Sequence, residues 1–289
     1  MTFTEDHELV CRHAQNDLHT TTNILVSDLA DTCVTPFTPA SADAGATAEC
    51  RTSELTLAEF LTLTPKMDAA NTSATTAEAY QGGIADWRTD LQTDGAMPKT
   101  DAKSIALFEA LNVDLTPELK SPSVEMPHEG LSEGDYAQKL VDEYKAAGIN
   151  PSRVWLQSFN LEDVLYWIEA EPDFGAQAVY LMDECDLDGY APMDPPTWML
   201  VALEDGEIVP SALAMDAKEA RLEIITWPLE RSGPLAGGGG WYVQSIEEVT
   251  DSDGDYFDLL HVLAQEVGVA GVFSDWPATT TFYANCMGL

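Results

Sequence analysis

The region from residue 112 to 277 most constrains the fold. VDLTPELK (113–120), SRVWLQSF (152–159), QAVYLMD (177–183), EIITWPLE (223–230) and VAGVFSDWP (269–277) are short, apolar and read as strands. Between them, GDYAQKLVDEYKAAG (134–148), NLEDVLYWIEAE (160–171), SALAMDAKEARL (211–222) and DYFDLLHVLAQEVG (255–268) read as helices. Such alternation is the pattern of parallel β/α units. Continuous apolar strands suit a sheet covered on both faces. Asn160 stands where a helix N-cap is expected, with acids in the turn that follows. The tally is five or six strands rather than eight. Residues 183–198 (DECDLDGYAPMDPPTW) are too few for a further helix plus strand.

Upstream, ELVCRH (8–13) reads as another short strand. Residues 20–105 then turn rich in Thr, Ala, Asp and Ser, with helical patterning at 53–63 and 101–111. Ordinary connections run about 4–6 residues, so this stretch reads as an insertion on the scaffold. A single domain over residues 1–289 is expected.

Charge narrows the partners. Thirteen basic against 50 acidic residues leave a formal net charge of −37. A nucleic-acid binder or a binder of anionic lipid needs the opposite sign. No apolar run approaches the roughly 20 residues of a membrane span. A small-molecule partner and a monomer are expected. The five cysteines contain no CxxC pair, which argues against zinc. Cys33 and Cys50 flank a polar loop of small residues. A disulfide closing such a loop is worth about 3 kcal/mol and points to an oxidising compartment. The sequon Asn71-Thr72-Ser73 agrees with that compartment. The start, MTFTEDHELV, is not a signal peptide. Either the protein is cytosolic or the natural N-terminus lies further upstream.

In a β/α barrel the chemistry sits at the C-terminal ends of strands. Those ends carry Arg12-His13, Glu118-Leu119-Lys120, Gln157-Ser158-Phe159, Trp227 to Arg231 and Asp275-Trp276. Arg12, Lys120 and Arg231 fall there although cations are scarce, which points to an anionic substrate. The loop Gly237–Gly240 lets backbone approach a ligand. Glu118 and Lys120 alternate on one strand and so face the same side. A carboxylate and an ammonium at one rim suit a hard cation and a phosphate oxygen. His13 is placed for acid–base work near neutral pH. DSDGDYFD (251–258) and DECDLDG (183–189) lack the closing glutamate of a calcium loop. The former reads as a turn leading into a helix.

Five segments, in order, carry a resemblance. TEDHELVCRHAQNDLHTTT (4–22), TPELKSP (116–122), VWLQSFN (154–160), IITWPLE (224–230) and GVFSDWPA (271–278) together resemble the glycerophosphodiester phosphodiesterases. They are similar to long eukaryotic members with an insertion after the histidine strand. The resemblance implies a (β/α)8 TIM barrel and a divalent cation, calcium or magnesium. It also implies hydrolysis of a glycerophosphodiester, such as glycerophosphocholine, to an alcohol and glycerol 3-phosphate. His13 then matches the second catalytic histidine, Glu118 a metal ligand and Lys120 the phosphate-contacting lysine. Trp227 matches a pocket wall, and Gln157 and Phe159 fall among the fourth-strand pocket residues. Arg12 and Arg231 are assigned to substrate binding from their strand-end positions.

The departures matter equally. The family's His-Arg-Gly and Glu-x-Asp strands would stand before Thr2. Ala14 occupies a place where the family usually has aspartate, and only PPTWML (195–200) is similar to the sixth-strand region. The resemblance therefore implies an N-terminally truncated member: an incomplete barrel, inactive or nearly so in this extent, and secreted in its full-length form. Two alternatives stand beside it. One is a related barrel enzyme acting on lysophospholipid or sphingomyelin. The other is a non-catalytic relative that binds phosphodiesters.

Overall fold

The computed structural model describes residues 1–82, 98–182, 193–231, 233–237 and 240–289. DECDLDG (183–189), Cys185, Gly238 and Gly239 lie outside the described residues, as does 83–97 of the expected insertion. Contacts divide the chain into two units, Met1–Ala178 and Val179–Leu289.

The first unit opens on an antiparallel pair, β1 (Thr2–Phe3) and β2 (Leu9–Val10), which buries Phe3, Leu9 and Val10. After α1 (Leu18–Thr21) come the antiparallel strands β3 (Thr35–Thr38) and β4 (Thr47–Glu49). Short helices α2 (Leu57–Phe60) and α3 (Ala77–Tyr80) follow. Thr56 and Glu59 form a capping box on α2. The helical pattern over 53–63 yields one α-helical turn, after which Thr62 and Leu63 donate their N–H groups to the Glu59 and Phe60 carbonyls in tighter turns. The segment expected as an insertion builds its own core: Leu18, Ile24, Leu55, Phe60 and Tyr80 cluster with Val10. The Cys33–Cys50 disulfide is formed and belongs to that core.

Helix α4 (Asp101–Leu111) lies where the pattern placed it. Thr100 caps it by accepting from Lys103 N–H, and left-handed Asn112 ends it. Residues 113–120 then run parallel to 152–159, with Leu115 opposite Val154 and Glu118 opposite Gln157. Leu119 N–H donates to the Gln157 carbonyl at 2.9 Å, and Trp155 N–H to Leu115 at 2.8 Å. The regular strand is confined to β5 (Gln157–Ser158), shorter than expected. Pro117 on the partner has no N–H to give, so the ladder is interrupted. Between the two strands runs α5 (Glu133–Ala146), with a Ser132–Asp135 capping box. Helix α6 (Leu161–Ala170) starts at the expected cap, where the Asn160 side chain accepts from Glu162 N–H. Trp167 of α6 is fully buried and donates its Nε1–H to the Ala137 carbonyl at 3.0 Å.

Helix α7 (Pro172–Gly175) folds back against α6. A Cβ on Gly175 would lie 2.4 Å from the Trp167 carbonyl oxygen. That neighbour is backbone and cannot swing aside. Gly175→Ala is therefore expected to lose about 1–3 kcal/mol in urea unfolding, the usual cost of overpacking. An unchanged midpoint would show that α7 moves freely.

In the second unit β6 (Val179–Leu181) pairs parallel with β7 (Met193–Asp194). Helix α8 (Thr197–Leu200) leads into a hairpin, β8 (Val201–Glu204) and β9 (Glu207–Pro210). Asp205 and Gly206, with φ of 52° and 85°, form its two-residue turn. Sequence reading did not anticipate this hairpin. Helix α9 (Ala212–Glu219) is capped by Ser211. β10 (Ile225–Thr226) pairs parallel with β11 (Gly271–Val272). α10 (Asp255–His261) continues as a π-helical stretch, Val262–Val267. The expected strand over 269–277 is realised only at β11, and α11 (Pro277–Met287) follows from its proline. Leu200, Ala214, Ile224, Leu259 and Leu263 form the core. Asp255 accepts from the N–H groups of Asp251 and Ser252, so DSDGDYFD is a turn leading into α10.

Candidate active site

Three of the four expected residues on the two parallel strands of the first unit are tied together by the structure. Glu118 and Lys120, facing one side as alternation requires, form an ion pair at 2.5 Å. Both side chains are mostly buried, which strengthens the attraction relative to a surface pair. Lys120 Nζ also lies 6.0 Å from the Phe159 ring centroid, within cation–π range. Gln157, across from Glu118, is buried, and its amide donates to the Thr116 carbonyl at 3.4 Å.

This rim is braced from behind. Ser158 Oγ donates to Asp163 at 2.8 Å and reaches the Leu119 carbonyl at 3.3 Å. Burial pushes the Asp163 carboxyl up to about 6, with the Ser158 hydrogen bond opposing. The Tyr136 hydroxyl donates to the Lys120 carbonyl at 3.2 Å.

His13 and Arg12 follow β2. His13 is exposed on a bend. Arg12 turns onto its own loop, donating to the Cys11 carbonyl at 2.7 Å and to Thr21 Oγ1 at 2.8 Å. Nearby Asp17 is pushed up by burial, against the pull of Arg12. Sequence reasoning missed Gln15. Its side-chain oxygen accepts from Ser123 N–H at 2.6 Å, and its carbonyl accepts from Thr52 N–H at 2.9 Å. Gln15 thereby joins the loop after His13 to the loop after Lys120. Its partner stands 108 positions away, so spacing carried no sign of it.

The second unit holds the remaining expected residues. Trp227 stands directly after β10, its ring 6.1 Å from Trp241 and 6.0 Å from Tyr242. Arg231 lies 3.8 Å from Asp275. Glu230 is fully buried, and burial pushes its carboxyl up, although Ser274 donates to it at 2.8 Å.

The described residues do not fit a divalent cation. Calcium takes 6–8 oxygen ligands. Glu118 is one carboxylate and Lys120 already neutralises it. Among the described residues no group of three or more His, Cys, Asp or Glu is placed to hold a metal. Nor is any described helix long and apolar enough to cross a membrane.

No family model matches the chain. A protein of Arthroderma benhamiae (strain ATCC MYA-4681 / CBS 112371), named "Extracellular protein", is 40% identical over 245 residues, covering 77% of this chain and 100% of that one. Among solved structures, one from Silicibacter pomeroyi DSS-3, assigned as a glycerophosphoryl diester phosphodiesterase, matches with TM-score 0.62. It is 16% identical and covers 99% of this chain and 82% of the other. A Galdieria sulphuraria structure assigned as a glycerophosphodiester phosphodiesterase matches with TM-score 0.50 and 15% identity, over 98% and 83%. These structural likenesses establish the fold. By its sequence, the chain belongs to one family with the Arthroderma benhamiae extracellular protein, and it carries the fold of the glycerophosphodiester phosphodiesterases.

Proposed function

We propose that this chain is a secreted phosphodiester hydrolase acting on glycerophosphodiesters, with glycerol 3-phosphate and an alcohol as products. The observation that carries the reading is the Glu118–Lys120 pair at the end of a parallel strand, with Phe159 beside it. Lys120 would set its ammonium against the phosphodiester oxygens, and Glu118 would hold Lys120 in place. His13, exposed beside a loop tied to the Lys120 loop, would return a proton to the leaving alcohol oxygen. The resemblance brings a divalent cation with it, but the described residues supply no shell, so no step is assigned to one. The relative's extracellular name and the Cys33–Cys50 bond support secretion.

A second reading, phosphodiester binding without turnover, is favoured by that missing shell. One experiment separates the two. Glycerophosphocholine is incubated with the chain, with and without calcium or magnesium, and released glycerol 3-phosphate is measured beside binding by calorimetry. Turnover in the ordinary range of about 1–1,000 per second supports hydrolysis. Saturable binding without release supports the second reading. Under either, Lys120→Ala is expected to weaken affinity at least about tenfold. His13→Ala should cost about 100-fold or more in turnover only under the first. Neither binding nor release defeats both.

A further inference from the structure

The sequence holds two Asn-x-Ser triplets, Asn71-Thr72-Ser73 and Asn150-Pro151-Ser152. Locally they are alike. Both asparagines are exposed, and each turns its side-chain oxygen back onto the backbone two residues on. Ser73 N–H donates to Asn71 Oδ1 at 3.0 Å, and Ser152 N–H donates to Asn150 Oδ1 at 3.1 Å. With Oδ1 turned in, Nδ2 lies on the other side of the planar amide. The middle residue separates the two. Proline at 151 bars its triplet from N-glycosylation, and threonine at 72 does not.

The backbone beneath Asn71 is pinned while its side chains are not. Asn71 N–H donates to the Tyr80 carbonyl at 2.8 Å, and Ala74 N–H to the Asn71 carbonyl at 3.0 Å. Ala46 N–H donates to the Thr72 carbonyl at 2.8 Å. Tyr80, Ala74 and Ala46 are buried in one core cluster of the first unit. Asn71, Thr72 and Ser73 are all exposed. A bulky group on Asn71 therefore displaces none of that core. The adjoining segments are also short of charge. Residues 33–48 and 69–77 hold one charged side chain, Asp43, in a chain of net charge −37. Charge keeps most of such a surface hydrated. Here hydration has to come from neutral polar groups, which a glycan supplies.

We propose that Asn71 is a modification site that carries an N-linked glycan. Nδ2 loses a proton and bonds to the anomeric carbon of an oligosaccharide. The bond from that carbon to a lipid pyrophosphate carrier breaks, and the carrier leaves with the electron pair. No oxidant or reductant takes part. The inference rests on the secretion proposed above and not on the hydrolysis.

The test expresses the full chain behind a cleavable secretory leader in a eukaryotic host and collects it from the medium. Intact mass is read before and after peptide N-glycosidase in heavy-oxygen water. That enzyme releases the glycan and leaves a labelled aspartate at the site, which peptide mapping then locates. Most chains are expected to lose one glycan, with the label at residue 71 and none at residue 150. Ser73→Ala keeps Asn71 and the N–H of its turn, and should abolish the mass shift. Ser73→Thr should keep it. An unlabelled Asn71 in secreted chains whose Cys33–Cys50 bond is formed overturns the proposal. So does a label at Asn150, or a glycan on Asn71 that survives Ser73→Ala. A labelled Asn71 in a chain that does not hydrolyse glycerophosphocholine removes the proposed hydrolysis and leaves this inference. Hydrolysis by secreted chains with Asn71 unlabelled does the reverse.

Discussion

Asp101→Asn is expected to make the protein markedly more stable at pH 8 and to leave it nearly unchanged at pH 4. Asp101 opens helix α4, where a carboxylate is ordinarily welcome. Here it is 0% exposed. Burial, reinforced by the charge of Glu143, pushes its carboxyl up to about 7. The Tyr144 hydroxyl faces it and holds the shift back, yet neither carboxyl oxygen has a hydrogen bond of normal geometry. Cys11 feels the same charge: its thiol is pushed up to about 11, by burial first and by Asp101 second.

The sign follows from proton uptake. An ordinary unfolded aspartate titrates near pH 4, whereas the folded group holds its proton to about pH 7. The folded state binds more protons between those values. The stabilisation from this group is therefore complete below about pH 4 and is lost as pH rises to 7. At about 1.4 kcal/mol per tenfold ratio, the upper bound is about 4 kcal/mol. Asparagine mimics the protonated form at every pH. Urea unfolding of parent and variant at pH 4, 6 and 8 checks this. Parallel curves would show that the Asp101 carboxyl is solvated or paired in solution.

Loss of the Cys33–Cys50 bond is expected to cost about 3 kcal/mol. The bond closes a loop with a sequence separation of 17, and chain-entropy arguments give a loop of that size about this value. Both cysteines sit in the core with Leu18, Ile24 and Phe60. Inside the loop, β3 and β4 are short and partly exposed, and a two-stranded ribbon of this kind is marginal alone. The double variant Cys33→Ala/Cys50→Ala, unfolded in urea beside the oxidised parent, measures the loss. A difference below about 1 kcal/mol would mean that the buried apolar residues hold the ribbon without the bond.

What was legible in the sequence was what local chemistry decides. Asn160 announces a helix start through a side chain that reaches only two residues, and α6 begins there; Ser132 and Ser211 cap α5 and α9 by the same short reach, although the sequence reading did not single them out. Alternation placed Glu118 and Lys120 on one side, and they pair. Strand lengths were overestimated because an apolar run shows burial but not where the ladder breaks. Pro117 breaks one, and β11 ends at Val272. The β8–β9 hairpin was missed although Asp205-Gly206 is a strong two-residue turn signal. Helix α11 was missed because its threonine run has weak helical propensity, despite the starting Pro277. The candidate sites were legible only at strand ends. The Gln15 contacts and the packing of Trp227 against Trp241 and Tyr242 depend on remote segments, which no period encodes.

Gln15 also constrains where this chain can change length. Its side chain and carbonyl fasten Ser123 and Thr52 to one buried point, so three chain segments share a single rivet. Extra residues in any one of them would pull on the other two. The hairpin tip at Asp205-Gly206 carries no such tie: Gly206 has open space where a side chain would go. A peptide tag spliced into that tip should leave the fold intact, whereas the same tag beside Gln15 should unseat all three segments at once.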